Sequence, residues 1–311
     1  MTLVQLEYVV AVDTHRHFGT AAKHCFVTQP TLSMQLQKLE EELGIRIFDR
    51  SRLPVVPTEA GHQVVAQARR ILKEAYALTE LANNQSELVA GEIRLGIIPT
   101  LAPYLLPSLY RQMRQSFPQV TLVVRETITE EILRELKQNR LDCALLATPI
   151  RDASVFEDPL FYEELYIYLS KKNPLYNKRY VLPGEISADQ LWLLEEGHCF
   201  RSQVLNLCEL RKGTMLPLRY ETGNIDTLKR LVDETDGITI LPELAIREFS
   251  AKELNRVKRF KSPFPTRQIS LVTHRQQIKT RMLEALKGEV LRMLPQHMMY
   301  LGKRMQVEID Y

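Results

Sequence analysis

Apolar residues in the first 57 positions recur at helical spacing and are interrupted by two turns. The first stripe predicts one helix, and His17–Thr20 predicts a turn in which Thr20 is the N-cap of a short second helix. A third helix is predicted from Thr31 to about Leu43, and Gly44 ends it. A short helix, a tight turn and a helix that opens with small polar residues indicate a helix-turn-helix.

The third helix of this unit is the candidate for contact with DNA. The second helix of a helix-turn-helix fits the major groove, where side chains near its N-terminus reach base edges. The hydrogen-bonding candidates here are Gln29, Thr31 and Ser33. Residues 48–52 and 54–57 predict a two-stranded wing, with Arg50 and Arg52 near its tip for a minor groove or phosphate. A plain three-helix bundle with a solvated polar face is the alternative.

A long helix is predicted from Thr58 to about Asn84. Its apolar residues recur at alternating steps of four and three, a pattern typical of a coiled-coil seam. The seam residues are Val64, Ala68, Ile71, Ala75, Leu78 and Ala82. A dimer formed along this seam would place two recognition helices on one palindromic site. The alternative is a helix packed on its own domain.

From residue 91 the period changes to strands that alternate with helices, which predicts parallel sheet and an α/β fold. Ligands bind beyond the carboxyl ends of such strands, and Thr100 and Thr129 fall there. The chain leaves this first unit near residue 164 and returns with the strand at 268–273, which predicts two lobes with a cleft between them. The predicted boundaries are 1–57 for the winged helix-turn-helix, 58–90 for the long helix and hinge, 91–163 with 268–300 for lobe I, 164–267 for lobe II, and 301–311 for a polar, frayed tail.

Cys199 and Cys208 are the candidates for redox chemistry. A reactive thiol must be a thiolate, and neighbouring positive charge from His198 and Arg201 could favour that form. Cys208 is close enough in the chain to form a disulfide with an oxidised Cys199, but too far for a CxxC motif. The alternative is two unrelated cysteines, one of them packed in the core. The other two cysteines, Cys25 and Cys143, fit inert packing.

Composition adds limits rather than a function. The chain of 311 residues has room for two or three domains, and its four cysteines are too few for a disulfide scaffold. No spacing suits zinc, so neither a metal nor a cofactor is expected. There is no apolar run for a membrane span and no signal-peptide pattern at the start, so we expect a cytoplasmic protein. Residues 1–90 carry 9 Lys/Arg and 10 Asp/Glu, so DNA binding must depend on local placement of charge.

Taken together, these motifs resemble the LysR-type transcriptional regulators over essentially the whole chain. The segments that carry the resemblance are Leu6–Phe18, Ala21-Ala22, Thr28–Ser33, Leu39–Gly44, Phe48–Arg50 and Thr58–Gly61. Within that family the chain is most similar to the peroxide-sensing regulators. That similarity is carried by Ile98–Thr100 with Pro103–Pro107, Leu141–Cys143, and Gly197–Cys199 with Cys208.

The resemblance implies a fold and a set of roles. It implies a winged helix-turn-helix, a dimerisation helix and a two-lobed regulatory domain like a periplasmic binding protein. Cys199 would be the peroxidatic cysteine and Cys208 the resolving one. The implied peroxide pocket is Thr100, Thr129, His198 and Arg201, and the implied DNA contacts are Gln29, Pro30, Thr31, Ser33, Arg50 and Arg52. Implied partners are a palindromic operator in double-stranded DNA, further copies in a dimer of dimers, hydrogen peroxide, RNA polymerase, and a glutaredoxin- or thioredoxin-type reductant.

Two other functions are compatible with the same residues. A regulator of this fold could bind a small anion in the cleft, since Thr100 and Thr129 at helix N-termini suit a carboxylate equally well. A thiol peroxidase would use similar sulfur chemistry but would not need residues 1–90. The family pattern is also interrupted at Arg211–Gly213 and Met215–Leu218, which separate Cys208 from Tyr220.

Overall fold

The computed structural model describes residues 1–82, 89–210, 223–275, 280–300 and 304–309. The contacts divide the chain into two units, residues 1–88 with 138–140, and residues 89–137 with 141–311. The sequence also predicts a strand at Leu218–Glu221 and a hinge at Ser86–Gly91. The predicted strand and residues 86–88 of the hinge lie outside the described residues.

The first unit consists of four helices and a short hairpin among its described residues. The helices are α1 (Leu3–His15), α2 (Phe18–His24), α3 (Gln29–Leu43) and α4 (Glu59–Ala82), and the strands are β1 (Phe48–Asp49) and β2 (Val56–Pro57). β1 and β2 pair antiparallel and form the predicted wing. The apolar stripes of α1, α2 and α3 meet in one core around Leu32, Leu36 and Leu39, and one face of α4 packs on that core.

The helix boundaries around the turns follow from their caps. α3 begins at Gln29, because the Thr28 hydroxyl accepts a hydrogen bond from Thr31 N, and it ends where Gly44 adopts a left-handed φ of 69°. The prediction that Thr20 caps α2 is wrong. His17 is the cap, since its Nδ1 accepts from Thr20 N at 3.2 Å, so the helix begins two residues before Thr20. An imidazole in this role is rarer than a hydroxyl or carboxylate, and the sequence pattern favours the threonine.

The second unit carries the remaining elements. Its helices are α5 (Ala102–Ser116), α6 (Thr129–Lys137), α7 (Cys199–Leu207), α8 (Ile225–Glu234), α9 (Glu243–Ile246), α10 (Ala251–Leu254) and α11 (Thr280–Arg292). Its strands are β3 (Gly91–Ile97), β4 (Val120–Glu126), β5 (Cys143–Thr148), β6 (Val155–Leu169), β7 (Tyr180–Val181), β8 (Leu191–Trp192), β9 (Ile238–Pro242), β10 (Val257–Phe260), β11 (Phe264–His274) and β12 (Arg304–Gln306).

One long strand, β6, joins the two lobes. β3 pairs parallel with β4 and β5, as the alternating pattern predicts, and β11 pairs antiparallel with β5 and with the first part of β6. The second part of β6, Leu165–Leu169, pairs with β9 and β10 in lobe II. β6 therefore runs through both lobes, and each lobe keeps its own hydrophobic core.

The tail is ordered in residues 304–309, so the prediction of a frayed end is wrong there. β12 pairs parallel with β11, and two apolar side chains follow it in alternation. Val307 is buried in the core of lobe II, and Ile309 is buried in that of lobe I. The alternation of Val307, Glu308 and Ile309 is a strand-like pattern, but three residues are too few to outweigh the polar composition around them.

Candidate functional site

Cys199 and Cys208 lie at opposite ends of one helix. Cys199 is the first residue of α7 and Cys208 is its C-cap, and both are buried free cysteines. Their side chains belong to different cores: Cys199 packs with the core of lobe I and Cys208 with that of lobe II. Nine helical residues rise about 13.5 Å along the axis, whereas the Cα atoms of a disulfide are about 4.4–6.8 Å apart. The two thiols cannot join unless α7 opens.

The C-terminal end of α7 is held by a Schellman motif. Leu210 N donates to Leu205 O at 2.9 Å, and Glu209 N donates to Asn206 O at 3.2 Å. Glu209 therefore adopts a left-handed φ of 54°, a conformation in which glycine is the preferred residue. The helix end beside Cys208 is thus closed at a conformational cost.

Arg267 is the cation that most lowers the pKa of the Cys199 thiol. Its guanidinium is fully buried at 0% exposure, and Nε donates to Glu163 Oε2 at 2.8 Å. Nη1 donates to Thr100 Oγ1 at 2.8 Å and Nη2 to Thr100 O at 3.2 Å. The guanidinium also lies over the ring of Phe200, 5.0 Å from its centroid. Phe200, the residue after Cys199, is thus in contact with Arg267.

Burial and charge act on the Cys199 thiol in opposite directions. Burial raises the pKa of Cys199, and the positive charge of Arg267 lowers it in part. The Thr129 hydroxyl also lowers this pKa, although no hydrogen bond of good geometry reaches it from the described residues. Burial raises the pKa of Cys208 to about 12. In the reduced state, both groups are therefore held as thiols more firmly than an exposed cysteine.

The two charged neighbours predicted from the sequence have other partners. His198 Nε2 lies 3.4 Å from Glu195 Oε1, and Arg201 Nη1 donates to Leu194 O at 2.8 Å. Neither is among the main groups that shift the pKa of Cys199, whereas Arg267 is. Thr100 and Thr129 are both buried near the thiol network, and Thr100 enters it through Arg267.

Sequence reasoning missed Arg267 and Glu163. The sequence signal was weak, because Arg267 stands among other polar residues of its strand, and only the structure shows that the strand is largely buried and that the charge requires a partner. Gln203 was missed as well. It lies one turn after Cys199, is 0% exposed, and its amide has no hydrogen-bond partner among the described residues.

The predicted DNA-contact residues lie at the start of α3 and on the wing. Gln29, Pro30 and Thr31 are exposed at the start of α3, and Ser33 is half-buried. Arg50 is drawn back onto α3, where it donates to Ser33 Oγ at 3.1 Å and to Glu40 Oε2 at 2.9 Å. Arg52 is exposed on the wing and pairs with Asp49. Arg52 is therefore the more available of the two arginines.

No group of three or more metal-binding side chains is found in the described ranges. Among the helices of the same ranges, none is both long enough and apolar enough to cross a membrane.

Two family models match the chain. Residues 3–62 match the bacterial regulatory helix-turn-helix protein, lysR family, and residues 86–295 match the LysR substrate binding domain. Among curated relatives, the hydrogen peroxide-inducible genes activator of Dickeya chrysanthemi is 36% identical over 88% of this chain and 89% of its own. The DNA-binding transcriptional dual regulator OxyR of Escherichia coli K12 is 37% identical over 79% of this chain and 80% of its own.

A solved structure agrees with these matches. Full-length OxyR C199D from Pseudomonas aeruginosa superposes with a TM-score of 0.81 and 33% identity, covering 93% of this chain and 94% of that one. Both halves of the chain and the mixed α/β fold are thereby accounted for, and the predicted fold class is confirmed. The chain belongs to the LysR family of bacterial helix-turn-helix regulators and, within it, to the OxyR group.

Proposed function

We propose that this protein is a hydrogen-peroxide-sensing, DNA-binding transcriptional regulator whose switch is a reversible disulfide between Cys199 and Cys208. The observation that carries the proposal is the position of the two thiols at opposite ends of α7, each in the core of a different lobe. A disulfide formed there replaces one packing arrangement with another, which is what a two-state switch requires.

The first chemical step consumes peroxide at Cys199. The thiolate sulfur attacks one peroxide oxygen, the O–O bond breaks, and the leaving hydroxide takes up a proton to become water. Cys199 is then a sulfenic acid. Arg267 favours the thiolate, and the Thr129 hydroxyl and the Gln203 amide offer hydrogen bonds to the peroxide oxygens.

The second step joins the sulfurs. The Cys208 sulfur attacks the sulfenic sulfur, the S–S bond forms and water leaves, so that two thiols and one peroxide give one disulfide and two waters. Because Cys208 has a pKa of about 12 inside the core, it attacks only after α7 opens and exposes it. A dithiol reductant of the glutaredoxin or thioredoxin type would return the two electrons.

The free energy of oxidation is large enough to drive a change of conformation. About 30 mV of potential difference corresponds to roughly 1.4 kcal/mol for this two-electron couple, and a population shift of about 10⁴ needs roughly 5.5 kcal/mol. The opened α7 would repack lobe II and change how the copies of a dimer of dimers present their DNA-binding units on a palindromic operator. RNA polymerase is the proposed downstream partner, and the cytoplasm the proposed location.

The test is a count of thiols and a map of disulfides. Mild peroxide should remove two thiols per chain and give one linked peptide containing both Cys199 and Cys208. Cys199→Ser should lose no thiol while still binding DNA, and Cys208→Ser should stop at a sulfenic acid that a dimedone probe captures. Loss of no thiol in the wild type would overturn the proposal and favour an anion-binding regulator. Sustained turnover of peroxide with a reductant would favour a thiol peroxidase.

A further inference from the structure

Phe26 lies in the turn of the helix-turn-helix, in a left-handed backbone conformation that no burial of its ring offsets. Phe26 N donates to Lys23 O at 3.2 Å and Val27 N to Ala22 O at 3.0 Å, so α2 ends in a Schellman motif with Phe26 at its left-handed position. Its φ is 55°, and glycine is the residue usually found there. The residue is 95% exposed, so its ring gains almost no burial in the folded chain.

An aromatic residue at this position destabilises the folded unit for two reasons. A left-handed backbone is strained for a residue with a Cβ, and an exposed ring leaves apolar surface in water. A local rule broken without a compensating contact is the usual sign of a position used for binding rather than for stability. The ring must therefore find its contact outside this unit.

The surroundings of Phe26 indicate what that contact is. Thr28, the cap of α3, follows two residues later, and the exposed Gln29 and Thr31 begin the helix that would enter the major groove. Lys23 and His24, also exposed, precede it and suit a phosphate. The ring thus borders a surface whose other members bind the polar edges of bases and the backbone.

We infer that Phe26 contacts the C5-methyl group of a thymine at the edge of the half-site. Thymine alone presents an apolar group in the major groove, and an aromatic side chain is one of its usual contacts. Polar residues on α3 cannot recognise this methyl, so Phe26 would add a preference for thymine that hydrogen bonds do not supply. The inference rests on the proposed function, because it requires α3 to bind DNA.

The experiment starts from the duplex that the full-length protein selects out of a random-sequence library. Each thymine of the selected site is replaced in turn by deoxyuridine, which lacks only the methyl group, and binding is measured with reduced and with oxidised protein. Burial of one methyl is worth about fourfold in affinity per half-site. The wild type should lose about fourfold at one thymine of each half-site, and Phe26→Gly should show no loss at that position.

Phe26→Gly separates binding from folding. Because glycine prefers the left-handed position, this variant should unfold at a higher temperature than the wild type even though it loses the thymine preference. Leu43→Ala, at the far end of α3, is the matched control and should keep the preference.

Two results would overturn the inference alone. One is an equal penalty for deoxyuridine in the wild type and in Phe26→Gly, which would mean that the methyl is recognised by another residue. The other is a wild type indifferent to every replacement, which would mean that the ring contacts sugar or another protein. A library from which the protein enriches no sequence would overturn the proposed function together with this inference.

Discussion

The buried pair of Arg267 and Glu163 sets the charge environment of the redox site. Both side chains are 0% exposed, and Glu163 also accepts from Leu244 N at 2.8 Å. Removing one partner of such a pair leaves an uncompensated buried charge and typically costs about 3–5 kcal/mol, whereas replacing both with neutral groups is often tolerated. The pair is therefore best tested with both members changed.

Replacing the pair should make Cys199 less reactive. In the double variant Glu163→Gln with Arg267→Met, the charge that lowers the pKa of Cys199 is lost while burial still raises it. Below the pKa, the thiolate fraction falls about tenfold for each unit by which the pKa rises. The rate of Cys199 oxidation should thus drop at neutral pH, and its pH profile should move to higher pH.

The measurement is the rate of thiol loss at several pH values in a Cys208→Ser background. In the Cys208→Ser protein with the native Glu163–Arg267 pair, this rate should increase with pH through the alkaline range. The reason is that the raised pKa of Cys199 leaves its thiol mostly protonated at pH 7. Arg267→Lys with Glu163 left in place retains both the charge and the ion pair, and it is the control. A double variant with an unchanged profile would show that another group sets the reactivity.

The sequence could point to the cysteines but not to their cation. Cys199 and Cys208 stand out through their spacing and the residues beside Cys199, and the structure places them on one helix. Arg201 is near Cys199 in the chain but turns to the Leu194 carbonyl, whereas Arg267 arrives from a strand far along the sequence. Periodicity predicts local elements, and a contact between distant strands depends on packing that no local pattern contains.

At the scale of elements, the closed form of α7 contains backbone strain that opening would relieve. Its last turn is closed by Glu209 in a left-handed conformation, and its two ends are held in different cores. A left-handed backbone costs a residue with a Cβ roughly 1–2 kcal/mol, and opening the helix relieves that cost. The free energy of disulfide formation should therefore depend on which residue stands at position 209.

Glu209→Gly should make the disulfide harder to form. Glycine fits the left-handed position and stabilises the closed helix by about 1 kcal/mol, which raises the reduction potential of the pair by about 20 mV. The potential is measured by equilibration with a thiol–disulfide buffer. Glu209→Ala removes the same carboxylate but keeps the strain, so its potential should stay near that of the wild type. A rise of equal size in both variants would assign the effect to charge.

The ordered tail holds the same helix from another side. Asn206 Nδ2 donates to the carbonyl of Glu308 at 3.3 Å, and Val307 is buried in the core that also contains Cys208. This contact depends on a three-residue strand beyond a polar stretch, which is why the sequence did not predict it. The bounds of longer, periodic elements such as α3 and α4 agree with prediction to within a few residues.

Loosening the tail should speed up the second chemical step. Val307→Thr keeps the shape but buries a hydroxyl, which costs roughly 1–3 kcal/mol in the closed state. If most of that cost is lost when α7 opens, the sulfenic acid should convert to disulfide about fivefold faster or more. Stopped-flow measurement with limiting peroxide follows both steps. Met305→Thr, on an exposed position of β12, is the control, and a Val307→Thr rate equal to it would remove the tail from the mechanism.

At the scale of the whole molecule, a nearly neutral DNA-binding unit would gain affinity if a second copy added its own phosphate contacts. The predicted seam on α4 runs beside the face that packs on its own unit. Ala68 is buried where the two stripes meet, Val64 and Ile71 are half-buried, and Leu78 is 71% exposed. At 100° per residue these seam positions share one side of the helix, which leaves an apolar stripe available to a second copy.

Leu78→Arg should therefore separate the copies and weaken DNA binding together. A charge in the middle of an apolar helix–helix contact is unpaired on burial and disfavours association. Two linked half-site contacts exceed one by about 10²–10⁴ in affinity, so a monomeric variant should lose binding to a palindromic duplex by that range but not to a single half-site. Sedimentation gives the oligomeric state, and titration of both duplexes gives the affinities.

His62→Arg adds the same charge on the opposite side of α4 and should remain associated. If Leu78→Arg stays associated and binds the palindrome as tightly as His62→Arg, the copies meet through another surface, and the seam is only a solvated flank of the helix.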